Sequence, residues 1–419
     1  MKLTNNIWSY ATGGLLVFLS IGTAQAVPSF ARQTGMTCAV CHRTNYPELT
    51  AFGRNFKLNG YTLAGAKQIE ASSELNKRGL KIDDPAPLSA MLITSLTQLA
   101  NSGGAQNNAI EFPQQFSLFY AGEITPNMGS FLQLTYAMAD GGFGWDNSDI
   151  RYANHTSGGT TYGIDFNNGP TIQDLWNSTA AWGFPYTGSD AAGGPTVSAM
   201  LNGDMLAQDS GGLGAYAMWG GNIYTELTLY KSTHQGTAIP DGSSGNQTLN
   251  DFTPYIRVAY SKDSGDSNWM VGAYSMDAKL YPGGSVSGAT DEYNDTALDT
   301  QWQSKSWSAH ATYLTEKRTF TASGGSGTLT TMKLDGTYFI GEKTAATLAY
   351  VSTAGSGGGT TVWDGVSKPD SAGITAQLTY VPYQNLKFGA QYNMYSKVDG
   401  TTAGASDNNN LYLMAWMMF

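Results

Sequence analysis

The chain of 419 residues is poor in charge: Asp, Glu, Lys and Arg make up 13% of it, about half the share of an ordinary soluble domain. Scarce charge is not matched by strong hydrophobicity, since apolar residues reach only 41%. Beyond the first 26 residues no run approaches the roughly 18 continuous apolar residues of a membrane helix, which excludes a helical membrane bundle. Basic residues number 22 against 32 acidic ones, for a net charge of −10. That balance argues against a nucleic-acid partner, which calls for a basic patch, and suits cations without selecting one. Two cysteines cannot build a disulfide scaffold. The sequence also holds no G-x-x-x-x-G-K phosphate loop and no recognisable triad motif, so phosphoryl transfer and hydrolysis lack their parts.

What is abundant is Gly (51), Tyr (24), Phe (16) and Trp (10). Aromatics spread evenly along the chain argue against disorder. A Gly- and aromatic-rich chain with weak hydropathy suits many strands that are apolar on one face only. From Pro87 onward, segments of about ten residues alternate. Leu132, Leu134, Tyr136 and Met138 share a face opposite Gln133 and Thr135; Ile374, Ala376, Leu378 and Tyr380 alternate with Thr375, Gln377 and Thr379; Leu386, Phe388, Ala390 and Tyr392 alternate with Lys387, Gly389, Gln391 and Asn393. Period two with an apolar and a polar face is the signature of a half-buried strand. Sixteen such segments are expected, beginning near residues 88, 114, 130, 149, 160, 213, 223, 253, 268, 293, 306, 329, 344, 373, 386 and 409. Short connections at Thr125–Met128, Gly220-Gly221, Lys262–Asp266, Gly341–Lys343 and Pro382–Asn385 alternate with longer ones. The fold expected is a mainly β, antiparallel outer-membrane barrel of about 16 strands over residues 87–419, with short turns on one rim and both chain ends there. The last strand ends in Phe419, which resembles the assembly signal of such barrels. A secreted β-sandwich or propeller is the soluble alternative.

The first 26 residues read as a Sec-type signal peptide: Lys2, an apolar stretch around Leu15–Leu19, then the small-residue site Ala24-Gln25-Ala26. An N-terminal anchor is the alternative, though the apolar core is short for one. Cleavage before Val27 would deliver the rest of the chain out of the cytoplasm. The two cysteines then stand in Cys38-Ala39-Val40-Cys41-His42, which is C-x-x-C-H, the attachment motif of c-type haem. Both thiols bond the porphyrin and the adjacent imidazole ligates its iron. A thioredoxin-like pair would lie in a βαβ pattern that is missing here, and half a zinc site would need two more ligands nearby. Residues 27–80 are therefore expected to be a monohaem segment too small to shield a haem alone. His42 is its only His, and Met36 lies too close to Cys38 to reach the opposite haem face. Arg43, Arg54 and Lys57 are candidate partners for the haem propionates, or simply solvated cations.

The leader carries further detail: Phe30-Ala31-Arg32-Gln33-Thr34-Gly35-Met36 before the haem motif, then Pro47-Glu48-Leu49-Thr50-Ala51-Phe52-Gly53-Arg54 and Phe56-Lys57-Leu58-Asn59-Gly60-Tyr61. This resembles the monohaem cytochrome–porin fusions of the bacterial outer membrane, best known from neutrophilic iron oxidisers. Residues Asn167–Asn177 resemble the wider group as well. The likeness covers the leader closely and the barrel by architecture. It implies a haem segment plugging the pore and electrons passing from an external donor, Fe(II) in some branches, to a periplasmic carrier. A conduit also suits the chemistry: Fe(II) becomes insoluble Fe(III) at neutral pH, so it is best oxidised at the cell surface, and a 16-strand barrel has room for a plug. The alternatives are a porin whose haem segment is a structural or sensory plug, or a conduit running outward.

Three further features carry expectations. His310, flanked on the lipid phase by Trp307, Ala309, Ala311 and Tyr313, should face the lumen as a distal haem ligand or a plain wall residue; His155 and His234 fall in connections. The connection around residues 168–211, with Trp176, Trp182, Phe184 and Tyr186, should either cap the haem or form an ordinary surface loop. Asp204, Asp209, Asp291, Glu292 and Asp295 lie in or near outer connections, where they would gather Fe²⁺ transiently or act as solvated loop charges.

Overall fold

In the computed structural model, residues 27–63, 87–103, 107–137, 141–203, 206–233, 248–281, 287–321 and 324–419 are described. The expected signal peptide, Asp204 and His234 lie outside them. Sixteen long strands follow one another: β1 (Leu88–Leu99), β2 (Ala109–Thr125), β3 (Met128–Ala137), β4 (Gly142–His155), β5 (Thr161–Asn167), β6 (Ser210–Trp219), β7 (Ile223–Ser232), β8 (Thr253–Ser264), β9 (Ser267–Tyr281), β10 (Asp291–Gln303), β11 (Trp307–Phe320), β12 (Ser326–Ile340), β13 (Thr344–Gly357), β14 (Ser371–Tyr383), β15 (Leu386–Lys397) and β16 (Asn410–Met418). A two-residue bridge, Thr248–Leu249, adds to the end of β9. Every strand pairs antiparallel with its sequence neighbour, and β1 pairs with β16 from Met91↔Met418 to Leu99↔Asn410, which closes the barrel. Closure removes the unpaired edge that an open sheet would expose to lipid.

Alternation sorts the two faces. Ile164, Phe166, Leu213, Ile256, Val258, Leu298 and Leu348 point outward and are exposed, a belt that costs nothing in hydrocarbon and would be unfavourable in water. Their neighbours point into the lumen and are buried: Asp165, Arg257, Asp299, Gln301, Thr379 and Lys387. Arg151 pairs with Asp149 at 2.6 Å, and Arg318 with Glu316 at 2.5 Å. The connections at 126–127, 156–160, 220–222, 265–266, 304–306, 341–343 and 384–385 all lie on one rim and are short. At 220–221 both central residues have positive φ, +56° and +75°, a conformation glycine reaches without strain. The other rim carries the mostly longer connections, and the chain ends on the short-turn rim.

Three helices precede the barrel: α1 (Pro28–Thr34), α2 (Cys38–Cys41) and α3 (Ala51–Leu58). Pro28 opens α1 and Gly35, at φ +68°, ends it. The Thr50 hydroxyl caps α3 by accepting from the Gly53 amide at 3.1 Å, and donates to the Val40 carbonyl at 2.5 Å. This segment sits inside the barrel and touches its wall nearly all round. Arg32 donates to the Leu88 carbonyl, Gln33 to Ala121, Asn45 to Thr347 and Lys387 to the Tyr46 carbonyl. Tyr61 donates to Asp149, Tyr216 to the Leu58 carbonyl, and Gln303 and Ser308 both donate to Glu48. Cys38, Arg43 and Thr44 donate to residues of the turns at 384–385, 304–306 and 341–343, so the segment occupies the short-turn mouth.

Candidate cofactor site

Cys38, Cys41 and His42 open onto one cavity of about 400 Å³, within the range of about 300–1,000 Å³ usual for cofactor sites. Helix α2 presents both thiols one turn apart, and its closing bond, His42 amide to Cys38 carbonyl at 2.8 Å, turns the imidazole beside them. The two cysteines are not joined in a disulfide. Burial, helped by the neighbouring Cys38, pushes the Cys41 thiol up to about 11. A thiol held protonated is a poor redox nucleophile, which disfavours the thioredoxin-like alternative. Burial lowers the His42 imidazole to about 4, against the weaker upward pull of the Pro47 and Glu48 carbonyls beside its ring. The ring is therefore neutral at physiological pH, the state that ligates a metal. Its Nδ1 is buried with no partner at bonding distance among the described residues.

Three layers surround the cavity. The segment itself supplies Phe30, Leu49 and Phe56, where Phe30 stacks on Tyr61 at 5.6 Å and meets Phe56 edge-on at 5.2 Å. The barrel wall supplies Met91, Ile93, Phe119, Phe131, Trp416 and Met418 from β1, β2, β3 and β16. That apolar patch is unusual on a lumenal face, which is polar in a water-filled barrel. The third layer is the connection of residues 168–209. It folds into the lumen instead of lying on the surface, and Trp182, Pro185 and Tyr186 line the cavity. The loop is therefore not an ordinary surface loop: its aromatic residues line the same cavity as the cysteines.

Charged side chains fasten the cap. Lys57 donates to the carbonyls of Ile172 and Asp174 and to Asn177 Oδ1, at 2.8, 2.6 and 3.2 Å. Burial lowers its ammonium to about 7, with nearby Arg151 adding to the effect. Asn177 in turn donates to the Pro47 carbonyl at 3.1 Å. Arg257 of β8 lies 2.7 Å from Asp299 on the wall and 3.4 Å from Asp174 in the loop. Asp174 is held below the usual carboxylate range: burial opposes the shift, and Arg257 and Lys57 overcome it.

Several sequence candidates lie elsewhere. Arg43 donates to the Ser304 carbonyl at 2.7 Å and stacks 4.1 Å over Phe339; Arg54 donates to Gln303 at 2.7 Å. Neither lines the cavity, and Lys57, which does, already has three acceptors. His310 faces the lumen as expected but does not line the cavity either. Its Nδ1 lies 2.7 Å from Asp335 and its Nε2 2.9 Å from Gln301, so both ring nitrogens are engaged and the distal-ligand role is not carried by the geometry. His155 ends β4 on the short-turn rim, 3.1 Å from Thr161 Oγ1. The acidic residues do not gather. Asp295 accepts from the Leu201 amide inside the barrel, Glu292 pairs with Lys279 at 2.7 Å, and Asp209 and Asp291 are buried. No metal-holding group of His, Cys, Asp or Glu is present among the described residues.

The residues fit the group that the motif implies. Two thiols, a neutral imidazole and a mainly apolar chamber are what a covalent haem c uses, and two further buried donors on residues of the lining, the Tyr46 hydroxyl and Trp416 Nε1, have no partner among the described residues. The fold has counterparts among solved structures. OmpF of Salmonella typhi, in complex with daunomycin, superposes with a TM-score of 0.53 at 13% identity, over 81% of this chain and 99% of that one. An anion-selective porin from Comamonas acidovorans gives 0.51 at 10% identity over 79% and 98%. The outer-membrane channel DcaP of Acinetobacter baumannii gives 0.50 at 10% over 79% and 96%. The fold is that of an outer-membrane porin. No family model and no curated protein sequence matches the chain. The 79–81% of the chain aligned leaves room for an added segment, and none of these likenesses bears on the cysteine cavity.

Proposed function

We propose that this chain is an outer-membrane c-type cytochrome built into a porin-like barrel, carrying electrons between an external donor, Fe(II) first, and a periplasmic carrier. The observation that carries the reading is the cavity itself: Cys38, Cys41 and His42 share one apolar chamber closed by the barrel wall and an infolded loop. Cys38 and Cys41 would hold the haem by thioether bonds and His42 would ligate its iron. When bound, haem c supplies one reversible electron at a potential set by its ligands, burial and hydrogen bonds.

The chain's own residues do the rest. Phe30, Phe56, Phe119 and Trp182 exclude water from the chamber. The strands insulate it from lipid, and the segment's docking at the short-turn mouth brings it near a periplasmic partner. Lys57, Asn177 and Arg257 keep the loop down on the segment, so that an external donor meets a fixed path. Lumenal groups that would line water in an open pore, such as Arg151, Arg257, Gln301 and Arg318, are buried instead, which favours a filled barrel over a diffusion pore.

The porin-like fold favours a second reading, a channel with a haem-bearing structural or sensory plug. Direction is a third variable: the same site can run electrons outward. Anoxic stopped-flow mixing of oxidised, detergent-purified protein with Fe(II) near neutral pH separates the first two. Rapid appearance of the ferrous haem spectrum is expected. A haem that stays ferric with Fe(II) yet reduces with dithionite rejects Fe(II) as donor.

A further inference from the structure

A buried charge is costly unless a counter-charge or a full set of hydrogen bonds meets it. Lys387, on the lumenal face of β15, is fully buried. Its ammonium donates to the Tyr46 carbonyl at 3.0 Å, and among the described residues it meets no carboxylate. Around it stand three rings, at 4.1 Å (Trp416), 4.6 Å (Tyr46) and 5.7 Å (Tyr186). All three rings line the cysteine cavity. Tyr46 packs edge-on against both Trp416, at 5.7 Å, and the His42 ring, at 6.5 Å.

Two of these rings end in polar atoms that are buried without a partner among the described residues, the Tyr46 hydroxyl and Trp416 Nε1. An indole N–H and an ammonium can only donate, and the hydroxyl donates as readily as it accepts. One corner of the chamber thus carries two donors unpaired among the described residues, and the Lys387 cation stands behind the rings of that corner, on the far side of the chamber's lining. Each such donor carries an uncompensated desolvation cost while it stays unbonded. What the corner lacks is an acceptor with several lone pairs and a negative charge.

We propose that this corner receives a propionate carboxylate of the haem attached at Cys38 and Cys41, with Trp416 Nε1 and the Tyr46 hydroxyl donating to it and Lys387 as its counter-ion. The inference rests on the function proposed above and deepens it. It replaces Arg43 and Arg54, which donate to Ser304 and Gln303 away from the cavity, with partners that come mainly from the barrel wall. Lys387 and Trp416 belong to neighbouring strands, β15 and β16, which pair Lys387 with Trp416 directly. The barrel therefore presents two of the three groups side by side, and Tyr46 comes with the segment. The corner also bears on the electron: a cation beside the haem favours its reduced, less positive state.

The test uses the full chain, produced with the haem-attachment machinery, and three variants: Lys387→Met, Trp416→Phe and Tyr46→Phe. Covalent haem on a denaturing gel checks attachment, and heat-modifiable migration checks the barrel. The readouts are the midpoint potential and the propionate bending modes in resonance Raman spectra. Lys387→Met should lower the potential, and Trp416→Phe and Tyr46→Phe should each shift a propionate mode while leaving the haem attached. Folded, haem-bearing variants with potential and propionate modes equal to wild type overturn the inference alone. A wild-type chain that takes up no haem overturns the function on which it rests. Should Lys387→Met not fold, the two aromatic variants still decide the matter, since Tyr46→Phe removes only the hydroxyl from a ring that stays in place, and Trp416→Phe removes the indole N–H while keeping an aromatic side chain.

Discussion

Gly53 packs its backbone directly against Cys41, so closely that a side-chain carbon on Gly53 would overlap the Cys41 carbonyl. This contact sets α3 against α2 and, with the Thr50 amide donating to the same carbonyl at 2.9 Å, fixes where the second thiol and His42 sit. Gly53→Ala should push α3 away at a cost of about 1–3 kcal/mol, the usual range for overpacking. Reduced covalent haem per barrel, measured by haem stain against total protein, checks it. A serine at position 50 should be tolerated, because its hydroxyl can still cap α3.

Arg257 bridges the wall at Asp299 to the loop at Asp174. Arg257→Met leaves two buried carboxylates without their cation, a loss of about 3–5 kcal/mol for breaking a buried pair. The loop of residues 168–209 should then loosen. External protease, which should spare this loop in intact wild-type cells, should cleave it in the variant, and single-channel conductance in planar bilayers should rise. A high wild-type conductance, unchanged by the substitution, would favour the open-pore reading.

The cavity offers few second axial ligands. His42 is the one His in its lining, and the sulfur donors besides the two cysteines are Met36, Met91 and Met418. Met91 and Met418 face each other across the strand pair that closes the barrel. A six-coordinate haem here should carry the far-red absorption band of a thioether-ligated ferric iron. Either Met91→Leu or Met418→Leu should abolish that band and lower the potential, as loss of a methionine ligand does. A band that survives the double variant excludes both methionines as the ligand.

His310 should have no spectral role. With Nδ1 on Asp335 and Nε2 near Gln301, it ties β11 to its neighbours β12 and β10. His310→Ala should leave the haem spectrum as it is and lower the barrel's thermal stability by about 1–3 kcal/mol, the range for stranding a hydrogen-bonded partner. A changed haem spectrum would return His310 to the site.

Much of the architecture is legible in the residues. The segments expected from Leu132, Ile374 and Leu386 onward are strands with the faces assigned, and all sixteen expected segments overlap an observed strand. Alternation works there because one face is apolar and the other polar. It fails on β16, where Leu411, Leu413 and Ala415 face lipid while Tyr412, Met414, Trp416 and Met418 face inward. With both faces apolar, period two is invisible, and so is the patch that closes the cavity. The motif Cys38–His42 could be read because its chemistry is local. Lys387 could not, because its role depends on Tyr46, more than three hundred residues away. The cations Arg43 and Arg54 misled for a related reason: a sequence shows charge, not whether carbonyls such as Ser304 already claim it.

The central claim is that electrons cross the membrane through a site held by Cys38, Cys41 and His42. Its most direct test places the purified protein in liposomes that enclose an oxidised soluble cytochrome, adds Fe(II) outside under anoxic conditions, and follows reduction inside. The account predicts reduction with the wild-type chain and background only with Cys41→Ala or His42→Ala barrels of equal insertion. Equal rates from wild-type and variant barrels, or no reduction in either, would contradict it.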